Sequence, residues 1–328
     1  MRGHSTFGEM ARDTRGRIAA SPGPALARVG IARQKLSVPG PATRHGLTAF
    51  MVALFCCTIA MAEPLKAGVG ILPQAYLAER IGGPNIEVAV LVGPGQNYHT
   101  YEPTPKQLAD LAGASLYFQM GLSFEKRLVE KIVSANPNVR VVDLLEGIAL
   151  RPMDAEPGEE HPGHGAMDPH VWLNPLDAKI LARNMAGALQ QRDPAHAAAY
   201  ASNLGALDKD LDALHARVSD LLTPFKGRTF YVYHPSFGYF ADVYGLKQAA
   251  VEIEGKEPTA RQLAALIDRA KKEGVRAIFV QQQFPRKCAE AVAREIGGKV
   301  IAVDPLARDY VAGVESIAQS LHDVWTQP

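Results

Sequence analysis

The 328-residue sequence is short of cysteine, of excess charge and of long apolar runs. Two of its three cysteines, Cys56 and Cys57, fall inside one hydrophobic stretch, which leaves Cys288 as the single cysteine elsewhere. A disulfide within the chain beyond that stretch and a cysteine-based metal cluster are therefore both excluded. Formal net charge is +1, and residues 1–62 hold eight Lys or Arg against Glu9 and Asp13, so the remainder is mildly acidic. Nucleic acid is not an expected partner, because binding it requires a basic face that neutralises phosphates. Only residues 47–62 (LTAFMVALFCCTIAMA) form a strongly apolar run, which excludes a polytopic membrane protein. At 47% apolar content the rest of the chain can bury one large or two medium cores.

The apolar run follows Arg44 and His45 and closes on the small-x-small triplet Ala60, Met61, Ala62. It reads as a secretory signal cleaved after Ala62, which predicts a periplasmic protein. The run is short of the ~20 residues of a spanning helix, which disfavours an uncleaved anchor. Bulky Phe55 ahead of Cys56 disfavours a lipoprotein site. Residues 1–43 are rich in Arg, Pro and Gly without apolar periodicity, so they are expected to be disordered or to precede a later start codon.

From residue 63 onward, short β-type runs alternate with helical patterns, as in a parallel α/β sheet. Four strands are predicted at 65–71, 86–92, 116–119 and 139–142, with helices at 73–81, 105–111 and 124–135. A second set of strands is predicted at 228–233, 247–253, 277–280 and 299–303. Helices are expected at 237–244, 259–273, 286–295 and 310–325. Between the two sets no strand signal occurs, and 175–191 and 194–222 both read as helix. In the latter, Tyr200, Leu204, Leu207, Leu211, Leu214, Val218 and Leu221 form one apolar stripe at three- and four-residue spacing. Pro194 after Asp193 suggests a capped start. The fold class is thus α/β: two lobes, each with a four-stranded parallel sheet flanked by helices, joined by one long rigid helix. The expected organisation is a leader and signal peptide (1–62), an N-terminal lobe (63–192), the connecting helix (193–224) and a C-terminal lobe (225–328).

Open α/β sheets bind ligands in loops at the carboxyl edge of their strands. Four polar residues fall in such loops or just ahead of a helix: His99 in GPGQNYHTYEPTP, His170 in DPHVWLNP, His234 after RTFYVY and Asp304 after KVIAV. Three imidazoles and one carboxylate complete a tetrahedral set for Zn²⁺, two from each lobe. The spacing forms no local motif, and a lone histidine is more often a hydrogen-bonded surface residue. With unperturbed imidazoles, metal binding is expected to fall below about pH 6. A zinc hydrolase is the rival from another class, but Asp304 would fill the position that catalytic water needs, and no HExxH motif is present. His196, His215 and His322 lie on helical patterns and are expected to face solvent.

The motifs YHTYEPTPKQLADL, MDPHVWLNP, YHPSFGYFADVYGL and VDPLA, in that order, resemble the metal-specific solute-binding proteins of ABC importers, the zinc and manganese receptors of the ZnuA and TroA type. The resemblance covers residues 64–325. It implies metal ligation by His99, His170, His234 and Asp304, two lobes joined by a rigid helix, and delivery of a divalent metal to a membrane permease by a monomeric receptor that is not an enzyme. Histidine rather than glutamate at His234 favours Zn²⁺, with Mn²⁺ or iron as the alternative cargo. Some relatives are called adhesins, so an adhesive role is a further alternative. The segment EPGEEHPGH, with Glu159, Glu160, His161 and His164, resembles a shortened form of the acidic, histidine-rich loop of zinc receptors. Two departures from the family pattern, Gln281 to Gln283 and Asn174, leave the hydrogen bonding behind the ligands open.

Overall fold

A computed structural model of the chain describes residues 63–153, 167–252 and 258–327. The predicted signal segment, the loop containing His161 and His164, and residue 253 lie outside these residues.

The first half alternates strands and helices: β1 (Leu65–Val69), α1 (Leu72–Gly82), β2 (Ile86–Val90), α2 (Pro105–Ala112), β3 (Leu116–Gln119), α3 (Glu125–Ala135) and β4 (Arg140–Asp143). All pairings are parallel, in the order β2-β1-β3-β4. Two helices follow, α4 (Pro175–Arg192) and α5 (Ala197–Leu222). The second half repeats the alternation with β5 (Thr229–Val232), α6 (Gly238–Tyr244), β6 (Lys247–Ala250), α7 (Ala260–Lys272), β7 (Ala277–Gln281), α8 (Lys287–Glu295), β8 (Lys299–Val303) and α9 (Tyr310–Thr326). Its sheet is again parallel, in the equivalent order β6-β5-β7-β8. The two sheets belong to one compact unit. No helix among the described residues is long and apolar enough to cross a membrane.

Local chemistry sets the helix starts. Thr104 and Gln107 form a reciprocal capping box ahead of α2, with Pro105 in the first turn, and Thr259 and Gln262 do the same for α7. Asn174 caps α4 by accepting from the Leu176 amide and donating to Asp177. The departure at Asn174 is thus a helix cap. The loop after β3 is fixed by buried Glu125, which accepts from the Met120 and Leu122 amides and from Tyr117.

The long helix ends at Leu222 as expected but starts later. Residues 194–196 form a separate 3₁₀ turn, and α5 begins at Ala197, so its 26 residues span about 39 Å. Asp193 does not cap it through its side chain, because that carboxylate is engaged by Tyr200 and His196. At the other end Leu222, four residues after Val218, is buried, while the predicted Leu221 is only half-buried.

α5 packs against α1, α4 and α9. Leu207, Leu211, Leu214 and Val218 join one apolar core that also takes in Leu77 of α1, Leu181 of α4 and Leu321 of α9. The halves therefore share a core as well as a connection. In the second sheet the period of two along a strand divides the faces. Phe230, Val232 and Phe279 face this shared core, whereas Tyr231, Ile278 and Val280 face a second cluster with Leu266 and Val292.

Side-chain contacts and turns set the strand ends. β1 stops at Val69 because Gly70 and Ile71 donate their amides to the Gln74 side chain as α1 begins. β6 ends at Ala250, short of the predicted strand, and the chain turns there and brings Glu252 into the site.

Candidate metal centre

Three of the four predicted residues come together. The ligand atoms of His99, His170 and His234 all lie within 4.8 Å of one another. His99 sits in a 3₁₀ turn (Tyr98–Thr100) that follows β2, and its amide donates to Asn97. His170 immediately precedes another 3₁₀ turn (Val171–Leu173) ahead of α4. His234 lies two residues beyond β5. The first half thus supplies two imidazoles and the second half one.

The two buried histidines are each held through Nδ1 by a buried carboxylate. His170 Nδ1 lies 2.6 Å from Asp168 Oδ1, which also accepts from the His170 amide. His234 Nδ1 lies 2.5 Å from Glu252 Oε1. An imidazole that donates from Nδ1 keeps the Nε2 lone pair for a metal. Tyr98 donates its hydroxyl to His170 Nε2, so a metal must displace that bond. His99 Nε2 and His234 Nε2 are 3.0 Å apart. Two nitrogens of a tetrahedral zinc shell stand about 3.3 Å apart at a Zn–N length near 2.05 Å, so this pair already has nearly the needed spacing.

Further groups fix His234. Gln281, the last residue of β7, accepts from the His234 amide and donates to its carbonyl, and it also donates to Ser236. Phe284 stacks on the imidazole, with ring centroids 4.7 Å apart. Among the described residues His99 has no carboxylate partner, and it rests on the Tyr98 ring at 4.1 Å. Loss of hydration, then the neighbouring His234 and His170 rings, hold the His99 imidazolium down to a pKa of about 3, although the residue is exposed overall. Burial lowers His170 as well, despite Asp168. Protons therefore compete with a metal at these two positions less than unperturbed imidazoles would, and the expected loss of binding below about pH 6 is weakened there.

Asp304 follows β8 directly but does not join the three histidines within that distance. Its Oδ1 accepts from Gln283 and from the Leu306 amide, and Oδ2 has no hydrogen bond among the described residues. Gln281 and Gln283 are thus hydrogen-bond partners behind His234 and Asp304. Asp168, Glu252 and Tyr98 were not singled out from sequence. Asp168 was signalled by its place in the DPH triplet and Glu252 by its place just past the carboxyl end of β6. The remaining helical histidines do not simply face solvent: His196, His215 and His322 are half-buried, paired respectively with Asp193, the Tyr244 ring and the Phe225 ring.

Bonds also join the two halves. Trp172 donates to the Pro305 carbonyl at 2.8 Å, Tyr310 donates to the Trp172 carbonyl at 2.6 Å, and Arg308 pairs with Glu79 at 2.6 Å.

Residues 69–324 match the family described as zinc-uptake complex component A, periplasmic. The zinc-binding protein AdcA of Streptococcus pyogenes serotype M3 is 29% identical over 266 residues, which cover 74% of this chain and 50% of that protein. This chain therefore spans half the length of that relative. A crystal structure of ZnuA superposes with a TM-score of 0.75 at 38% identity, covering 80% of this chain and 99% of that one. Zn(II)-bound AdcA from Streptococcus pneumoniae superposes with a TM-score of 0.67 at 25% identity, covering 80% of this chain and 58% of that one.

Proposed function

The chain belongs to the family of periplasmic zinc-uptake complex components A, and we propose that it is the extracytoplasmic receptor that delivers one Zn²⁺ to the permease of an ABC importer. The observation that carries this reading is the convergence of His99, His170 and His234, with Nδ1 of both buried rings already held by carboxylates. Neutral imidazoles suit zinc better than manganese, which prefers oxygen ligands. The ion is cargo, and the family is one of substrate-binding receptors rather than enzymes.

In this reading the Nε2 atoms of the three histidines bind the metal. Asp304 supplies the fourth ligand through Oδ2, after a shift that brings it toward the histidines. His99 and His170 capture the ion from the first half, and His234 and Asp304 close on it from the second. The N-terminal lobe is 63–192, the connecting segment 193–224 and the C-terminal lobe 225–328. The receptor acts as a monomer after removal of the leader behind Ala62. The bonds of Trp172, Tyr310 and Arg308 support a closed, stiff pairing of lobes in which release requires limited motion.

Isothermal titration of the metal-stripped protein with Zn²⁺ and with Mn²⁺ tests the assignment. One tight Zn²⁺ site, much weaker Mn²⁺ binding, and a shift toward Mn²⁺ in His234→Glu are expected. Absence of a tight site for either ion would overturn it. Asp304→Ala is expected to weaken binding less than His170→Ala, because Asp304 stands apart from the three imidazoles.

A further inference from the structure

Arg151 joins three parts of the molecule. Its Nη1 donates to Asp168 Oδ2 at 3.2 Å, and its Nε pairs with Asp242 Oδ2 of α6 at 3.0 Å. Its amide donates to the Tyr239 hydroxyl, also on α6, and its carbonyl accepts from the Asp168 amide. Asp168 is fully enclosed and spends its other oxygen on His170. A continuous chain of contacts thus runs from His170 through Asp168 and Arg151 to Asp242 on the opposite half.

The packing of α6 agrees with this chain of contacts. Gly238 begins α6, and a Cβ there would lie 1.4 Å from Arg151 Nη1 and 2.5 Å from Asp168 Oδ2. Only a residue without a side chain lets the ion pair pass against the start of this helix. Asp242, one turn further along, then meets the same guanidinium. A planar fork can hold two carboxylates at once, which an ammonium cannot do with the same geometry.

We propose that Arg151 is a positioning residue that couples closure of the two halves to the orientation of His170, and so sets how slowly bound zinc is released. The inference rests on His170 being a zinc ligand. When the halves are together, Asp242 and Tyr239 fix Arg151, Arg151 fixes Asp168, and Asp168 holds His170 with its proton on Nδ1 and its lone pair on Nε2. Parting of the halves breaks the contacts to α6 first and loosens the hold on the ligand.

The test uses the full chain with Zn²⁺ as probe. Affinity is read by chelator competition, release by stopped flow into excess chelator, and the His170 tautomer by ¹⁵N chemical shifts. Arg151→Ala is expected to lower affinity about 10–100-fold and to mix the His170 tautomers. Arg151→Lys is expected to restore the tautomer, through pairing with Asp168, but not the slow release. Asp242→Asn changes an exposed residue and is expected to speed release by up to about fivefold with the tautomer unchanged. If His170→Ala abolishes tight binding while Arg151→Ala and Asp242→Asn release zinc at the parent rate, the coupling is overturned and the receptor assignment stands. If His170→Ala binds zinc as the parent does, the assignment of His170 fails and the coupling fails with it.

Discussion

The two halves of the molecule repeat one sheet order and each presents one buried histidine, but they hold it by different means. In the first half Asp168 anchors His170 and is itself paired with Arg151. In the second, Glu252 anchors His234 while Gln281 clasps its backbone and Phe284 covers its ring. Among the described residues His99 meets no carboxylate: its amide donates to Asn97, its ring rests on Tyr98, and its Nε2 faces that of His234. The cluster therefore joins two fixed imidazoles and one adjustable imidazole near the surface. Fixed ligands lose little freedom on binding, whereas an exposed one is suited to first contact with an arriving ion.

The comparison breaks most visibly at the anchored ligands. His170→Ala and His234→Ala are each expected to cost more than about 100-fold in zinc affinity by chelator competition, a larger loss than removal of a hydrogen-bond partner brings. A smaller loss is expected for His99→Ala, and equal losses at all three would erase the distinction. Removing the anchors sharpens it. Asp168→Ala and Glu252→Ala are each expected to weaken binding about 10–100-fold, while Asn97→Ala, behind the unanchored ring, leaves affinity within about threefold of the parent.

Acid stability separates these groups in a different way. His99, held down to about 3, and His170, also lowered, refuse protons that the unfolded chain accepts from about pH 6.5 downward. The unfolded state then binds more protons, so these rings cost the metal-free protein stability as pH falls below about 6.5. Burial pushes Glu125 up to about 7 against an ordinary value of 4.5, so the folded state takes up that proton first and gains stability as pH falls through this window. Glu125→Gln removes the gain. Urea midpoints of the metal-free variant, compared between pH 7 and pH 5, are expected to fall more steeply than those of the parent, and an unchanged slope would contradict the assignment. The smallest effect is expected away from the metal. Asn174→Ala should cost about 1 kcal/mol by loss of the α4 cap, measured by urea denaturation, with zinc affinity unchanged.

Much of this was legible in the sequence, because the signals are local. The strands at 116–119 and 299–303 agree with β3 and β8 to the residue, since β-branched and aromatic runs bounded by turn residues define a strand by themselves. His99, His170 and His234 stand out in the sequence because each lies in a loop at a strand end or ahead of a helix, where this topology gathers ligands, and the fold brings the three rings together. The failures are tertiary. Asp193 looked like a cap but is spent on Tyr200 and His196, partners that only the fold brings near. Leu222 is fully buried in the core while Leu221 packs against its edge, and either residue satisfies a helical period after Val218. Glu252 and Arg151 act across long separations in sequence, and no local pattern pairs them with His234 and Asp168. Asp304 shares the strand-end signal with the histidines, and the hydrogen bonds of its Oδ1 to Gln283 and the Leu306 amide are a tertiary detail that no local pattern gives.

Anomalous diffraction at the zinc edge, from crystals of the zinc-loaded protein, tests the central claim most directly. The account predicts a single strong peak about 2.0–2.1 Å from Nε2 of His99, His170 and His234 together. A peak elsewhere, or one that lacks any of these three histidines, would contradict it.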